Sequence, residues 1–351
     1  MKFVNLSRGD EERALALYHK AIVIDASDST TLEGGDFDWK EYYVKLKNGG
    51  ITAVCDTIMD IRGNFTEAIR KIYAWYRRFE YIGQTKITLT TEASHIIDAK
   101  RKGKIAVVLA TQNIRPIDDD LGLLSIFHRL GVRIIGLTYN KRNLAGDGCA
   151  EKKDCGLSEF GAEAIKEMNR LGILVDLSHV GYKTSMDAIE VSKAPVIFSH
   201  SCVRSLCSEF RNIPDGLIKA LAEKGGVIGL PVWSPFIKKT VGPYTKDNPR
   251  PTLQEYLAHI DCLADLVGVD HVGLGLDLSE YWAREDFEKF FKMVPELGPS
   301  IKFESKYVQD LEDHSKTVNI ARGLVSGGYS DQEIGKVLGG NFLRVFGKVW
   351  R

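Results

Sequence analysis

An excess of charge of one sign is missing from this 351-residue sequence, where 47 Lys and Arg face 47 Asp and Glu. That excludes the basic footprint of a nucleic-acid or anionic-membrane binder, so neither is expected as a partner. Long apolar runs are missing too. No stretch approaches the roughly 18 residues of a membrane-spanning helix. The opening residues, MKFVNLSRGDEERALALYHK, carry charges throughout, which excludes a secretory leader within them. Cysteine is scarce: Cys55, Cys149, Cys155, Cys202, Cys207 and Cys262 form no CxxC pair. Their spacing fits neither a zinc knuckle nor, without a leader, a disulfide framework. A cytoplasmic protein with reduced thiols is expected. Nor does GxGxxG follow the first strand-like run, which counts against an open dinucleotide-binding sheet.

What is present is a large apolar share, 44% of residues, enough for a sizeable core. Short Val- and Ile-rich runs recur at 21–27, 50–58, 105–112, 134–140, 174–179, 195–200, 227–232 and 271–278. Their continuous apolar character predicts strands buried on both faces, as in a parallel sheet covered by helices. Helix signals lie between them. Ser158 and Gly172 bracket one helix, a second covers 215–225, and capping boxes at Thr252–Glu255 and Ser330–Glu333 open two more. Eight strands alternating with helices predict a single (β/α)₈ barrel over residues 1–351, with N- and C-terminal helical extensions.

Six of the strands end in polar groups: Asp25/Ser27, Gln112, Tyr139/Asn140, His179, His200 and Asp277. In a barrel these ends converge on the face where chemistry sits. His179 and His200 close consecutive strands in matching contexts, DLSH and IFSH. Paired neutral imidazoles there predict ligands for zinc or a similar divalent metal. Across the mouth, Asp277 could bind that metal or move a proton between water and a leaving amine. The other six histidines, His19, His95, His128, His259, His271 and His314, lie in helical or loop contexts, mostly beside charged residues, and read as solvated surface. Arg211 follows the sixth strand and could clamp a substrate carboxylate.

The runs NRLGILVDLSHVG, SKAPVIFSHS, RNIPDG, AEKGGVIGL, LVGVDHVGLGLD and LGGNFLRVF resemble the membrane (renal) dipeptidase family of amidohydrolase-type metal enzymes. The resemblance spans roughly residues 20–347 and is most specific over 157–232. It implies a (β/α)₈ hydrolase in which His179 and His200 hold one of two zinc ions. It also implies that Asp277 is the catalytic aspartate and Arg211 a substrate-carboxylate ligand, and it suggests a homodimer.

The departures from the pattern are equally specific. Where the family's first strand ends Asp-Gly-His-Asn-Asp, this chain has Asp25-Ala26-Ser27-Asp28-Ser29, so serines stand at both ligand positions. Gln112 replaces a bridging Glu, and Tyr139 replaces a substrate-facing His. One zinc per chain is therefore expected, on His179 and His200 with Asp277 or Asp25 as third ligand. Arg211, Asn212, Tyr139 and Gln112 are expected to bind the substrate, and Asp277 with Tyr139 to act catalytically. The expected activity is hydrolysis of a small carboxylate-bearing amide or dipeptide. Two alternatives remain open: a metal-free acid/base lyase or isomerase, in which Lys183 could join, and an inert ligand-binding homologue.

Overall fold

The computed structural model describes residues 6–31, 39–59, 62–81, 86–239, 244–297 and 302–351. Among them, nine strands form one all-parallel sheet: β1 (Ile24–Asp28), β2 (Ala53–Thr57), β3 (Ile87–Leu89), β4 (Ile105–Thr111), β5 (Val132–Gly136), β6 (Leu174–Asp176), β7 (Ile197–Phe198), β8 (Val227–Leu230) and β9 (Val272–Leu274). Eight of them run in the order β1-β2-β4-β5-β6-β7-β8-β9. The seam between β9 and β1 is closed by a bridge from Asp28 to Leu278 and by the Asp277 N–H, 2.7 Å from the Ser27 carbonyl. This is the (β/α)₈ barrel that the eight apolar runs predict.

The ninth strand was not legible in that pattern. β3 is three residues long and pairs only with Ile105–Val107 at the start of β4, while β5 pairs along the second half of the same edge. Two of its three residues are only partly buried, so it lacks the continuous apolar run that marks the others.

Alternation within each strand sorts side chains between two cores. Ala53, Cys55, Ala106, Val108, Ile134, Leu174 and Val227 belong to the inner one, which small side chains can fill. Phe342 and Phe346 join that core from the C-terminal helix Asn341–Val349, which closes the barrel at the starts of the strands. Val54, Val107, Leu109, Ile135 and Val175 pack outward against the helices. Each fully buried aliphatic side chain of this kind contributes about 1.5–3 kcal/mol.

The predicted helix boundaries hold as well. Ser158 accepts from the Gly161 N–H, Gly172 ends its helix at φ 81°, and both capping boxes form. With the far end plugged and the helices outside, the strand ends and their loops are the part of the barrel left open.

Candidate active site

Three strand-end residues, Asn140, His179 and Asp277, adopt left-handed backbone conformations at φ 56°, 70° and 55°. For residues other than glycine this costs of order 1 kcal/mol or more each, and such strain gathers at functional sites. His179 and His200, brought side by side by the pairing of β6 and β7, stand with their Nε2 atoms 2.8 Å apart. Their outer nitrogens set the tautomers. His179 Nδ1 lies 2.7 Å from Asn140 Oδ1, which can only accept, so Nδ1 carries the proton and Nε2 a lone pair.

His200 Nδ1 lies 2.7 Å from Ser199 Oγ, whose own hydrogen goes to Asp176 Oδ2 at 2.5 Å. With Asp176 ionised, His200 also turns a lone pair inward. Burial, reinforced by nearby Arg211, holds both imidazoles well below their usual basicity. Two neutral lone pairs facing each other form a place for a cation.

His179 also lines a cavity that contains Arg211, Asp277, Tyr139, Gln112 and Ser29. The opposite wall is apolar, built from Trp233, Phe236, Trp282, Phe290 and Leu297. Asp277 is partly exposed to this cavity. Burial pushes its carboxyl up to about 7, against the opposing pull of Arg211 and the Ser29 hydroxyl. The Arg211 guanidinium is buried. It donates to the His200 carbonyl at 3.3 Å, and its Nε–H has no hydrogen-bond partner among the described residues. A buried guanidinium left this incomplete suits an incoming carboxylate. Tyr139 stacks on His179 with ring centroids 3.9 Å apart, and burial raises its hydroxyl well above the usual phenol range.

Other expected residues stand elsewhere. Asn212 is turned away: its amide donates to the Cys207 and Phe236 carbonyls at 2.9 and 2.7 Å, pinning loops, and it does not line this cavity. Lys183 is exposed, with its ammonium 3.0 Å from the Cys155 carbonyl. Tyr244 and Tyr281 do not line the cavity, unlike Trp233 and Trp282.

The solvated reading of the remaining histidines fails for two of them, His259 and His314, which are both buried. His314 lies between Asp25 Oδ2 at 2.9 Å and Glu280 Oε1 at 2.5 Å, and Lys45 pairs with the other Glu280 oxygen. Although burial opposes a charged imidazole, bonds to the two carboxylates raise His314 well above its usual range. The same contacts overcome burial at Glu280 and hold it at about 2. Local sequence could not reveal this cluster, because Asp25 and His314 are 289 positions apart.

The profile described as membrane dipeptidase (peptidase family M19) matches residues 11–299, most of the chain. The chain belongs to the membrane dipeptidase family. Dipeptidase tcpJ of Claviceps purpurea is 32% identical over 266 residues, 75% of this chain and 56% of its own length. An uncharacterized dipeptidase of Schizosaccharomyces pombe is 35% identical over 254 residues, 71% of this chain and 54% of its own. The chain thus spans little more than half the length of these curated relatives. Among solved structures, an amidohydrolase from Pseudomonas aeruginosa superposes with a TM-score of 0.85 at 30% identity, covering 96% of this chain and 99% of its own.

Within this membrane dipeptidase family member, the two expected metal positions differ sharply. The histidine pair fits a cation, for the reasons given above. The second position does not. Gln112 Nε2 donates to Thr57 Oγ1 at 3.1 Å and to Ser29 Oγ at 3.4 Å, and Ser29 donates to Asp277 Oδ1 at 3.2 Å. Amide and hydroxyl donor hydrogens occupy this space, where zinc needs imidazole, thiolate or carboxylate lone pairs.

The alternative carboxylates are already engaged. Asp25 takes His314 and the Ser27 and Leu276 N–H groups, while Asp28 takes Tyr42 and the Thr30 N–H. The expected trio of His179, His200 and Asp277 is not assembled either. Among the described residues, no three His, Cys, Asp or Glu side chains converge as ligands, because Asp277 is turned to Ser29.

Proposed function

We propose that this chain hydrolyses the amide bond of a small dipeptide-like substrate with a free carboxylate, using one divalent cation held by His179 and His200. The observation that carries the reading is the meeting, in one cavity, of His179, the incompletely bonded Arg211 and an Asp277 with a carboxyl near 7. Arg211 binds and orients the substrate carboxylate. The aromatic wall takes an apolar substituent and excludes water from the reacting bond. Bound at the imidazole pair, zinc would supply a more acidic water and a polarised carbonyl.

Asp277 takes a proton from the water that adds to the carbonyl carbon and returns one to the nitrogen as the C–N bond breaks, leaving an acid and an amine. Tyr139, stacked on His179, holds that ring in place and borders the substrate. The neighbouring dipeptidases support the same reaction class. Six cysteines, all free thiols, support a reducing compartment, and we place the chain in the cytoplasm.

The test is a dipeptide against its C-terminal amide. The zinc-loaded protein is expected to hydrolyse the acid with a KM at least tenfold lower than for the amide. Arg211→Met should erase the difference by raising only the acid's KM, since a lost buried charge contact costs about 2–5 kcal/mol. Equal KM values for acid and amide in the unaltered protein would overturn this role.

A further inference from the structure

Beside the reaction cavity lies a second, more open one, and Tyr139 lines both. Among the described residues it is lined by four cationic side chains, Arg62, Arg115, Lys141 and Arg142, against one carboxylate, Glu296. Their charges are not all committed. Arg142 is paired with Asp147, and Arg62 donates to the Met293 carbonyl at 3.3 Å. Glu296 accepts from the Asn140 amide at 3.2 Å, which turns its carboxylate toward the residue that orients His179. The Arg115 and Lys141 side chains are exposed, and neither makes a hydrogen bond or ion pair among the described residues. Lys141 stands two positions beyond Tyr139, the residue shared by both cavities, and lines the second.

A concave, cation-lined space focuses its field and favours an anion over a neutral isostere. Resting on the hydrolase reading above, we propose that this space is a subsite for a second anionic group, so that the preferred substrates are dipeptides with an acidic side chain. One carboxylate is then held by Arg211 in the reaction cavity. The other extends past Tyr139 to Arg115 and Lys141. The two indole N–H donors in the aromatic wall of the first cavity are already given to the Asp277 and Ser29 carbonyls, at 2.7 and 3.1 Å, so the second cavity is the place that distinguishes Glu from Gln.

The experiment compares Glu-Ala with Gln-Ala and Ala-Glu with Ala-Gln, as substrates of the zinc-loaded protein and as ligands of the chelated protein by calorimetry. In at least one pair the acidic member is expected to have about tenfold higher kcat/KM and tighter binding, the yield of two partly solvated charge contacts. The preference should shrink as salt is raised, because such contacts are screened within about 10 Å at 0.1 M.

Arg115→Ala/Lys141→Ala should abolish the preference while leaving turnover of the neutral dipeptides unchanged. Arg115→Glu/Lys141→Glu should reverse it, a result that loss of folding cannot mimic. Acidic and neutral members bound and turned over alike, or no dipeptide bound at all, would overturn the subsite. Preferential binding of the acidic member without any hydrolysis would uphold the subsite and defeat the hydrolase reading instead.

Discussion

At the scale of single residues, the site is set by how each polar group spends its hydrogen bonds. Asn140 and Ser199 each touch one histidine on its outer nitrogen, and together they turn both inner lone pairs to the same point. Asp277 has the Ser29 hydroxyl and the field of Arg211 to favour its charge, and burial still outweighs both. A carboxyl near 7 can accept and return a proton at neutral pH with little cost in either direction. The raised value also fixes a sign: the group is protonated, and useless as a base, below it. kcat/KM is therefore expected to rise with pH through about 7. Asp277→Asn should lower kcat by about 10²–10⁴-fold and remove that limb from the pH profile. A pH profile unchanged in the variant would take the proton transfer away from Asp277.

At the scale of elements, His314 adds a charged tie to the backbone bonds that join β1 to the segment beyond β9. Its imidazolium joins Asp25 on β1 to Glu280 just beyond β9, and Lys45 secures the outer oxygen. Removing one partner of such a buried set leaves uncompensated charge, so His314→Gln should cost about 3–5 kcal/mol in urea unfolding near neutral pH. Glu280 lies below its ordinary value, so its share of the stability is present above about 4.5 and fades as pH falls toward 2. His314 lies above its own value, so its share is complete below about 6.5 and is lost only as pH rises through the raised value. The deficit of the variant should then be clearly smaller at pH of about 3 than at about 6. A deficit independent of pH would mean that packing, not charge, holds the seam.

This cluster also marks where sequence reading ran out. Strands buried on both faces announce themselves as apolar runs, and strand-end histidines announce themselves by position. His314 sits in LEDHSK, a stretch that reads as solvated, and only its distant partners make it an interior residue. Asn212 failed in the opposite sense. Its neighbour Arg211 faces the cavity, and sequence adjacency could not show that its own amide was needed to pin two backbone carbonyls.

At the scale of the whole molecule, the two sides of the barrel mouth are built differently. On the β6–β7 side, both histidines stand poised with lone pairs inward. On the β1–β4 side, the Gln112 amide donates to Thr57 and to Ser29, and Ser29 in turn donates to Asp277. The zero net charge of the chain hides this local asymmetry, as well as the cation-lined space beyond Tyr139.

The most direct measurement is elemental analysis of protein purified without chelator and then equilibrated with zinc. One zinc per chain is predicted, lost in both His179→Ala and His200→Ala and retained in Gln112→Ala. Two zinc ions per chain, or a metal-free protein that still hydrolyses dipeptides in chelator, would contradict the account.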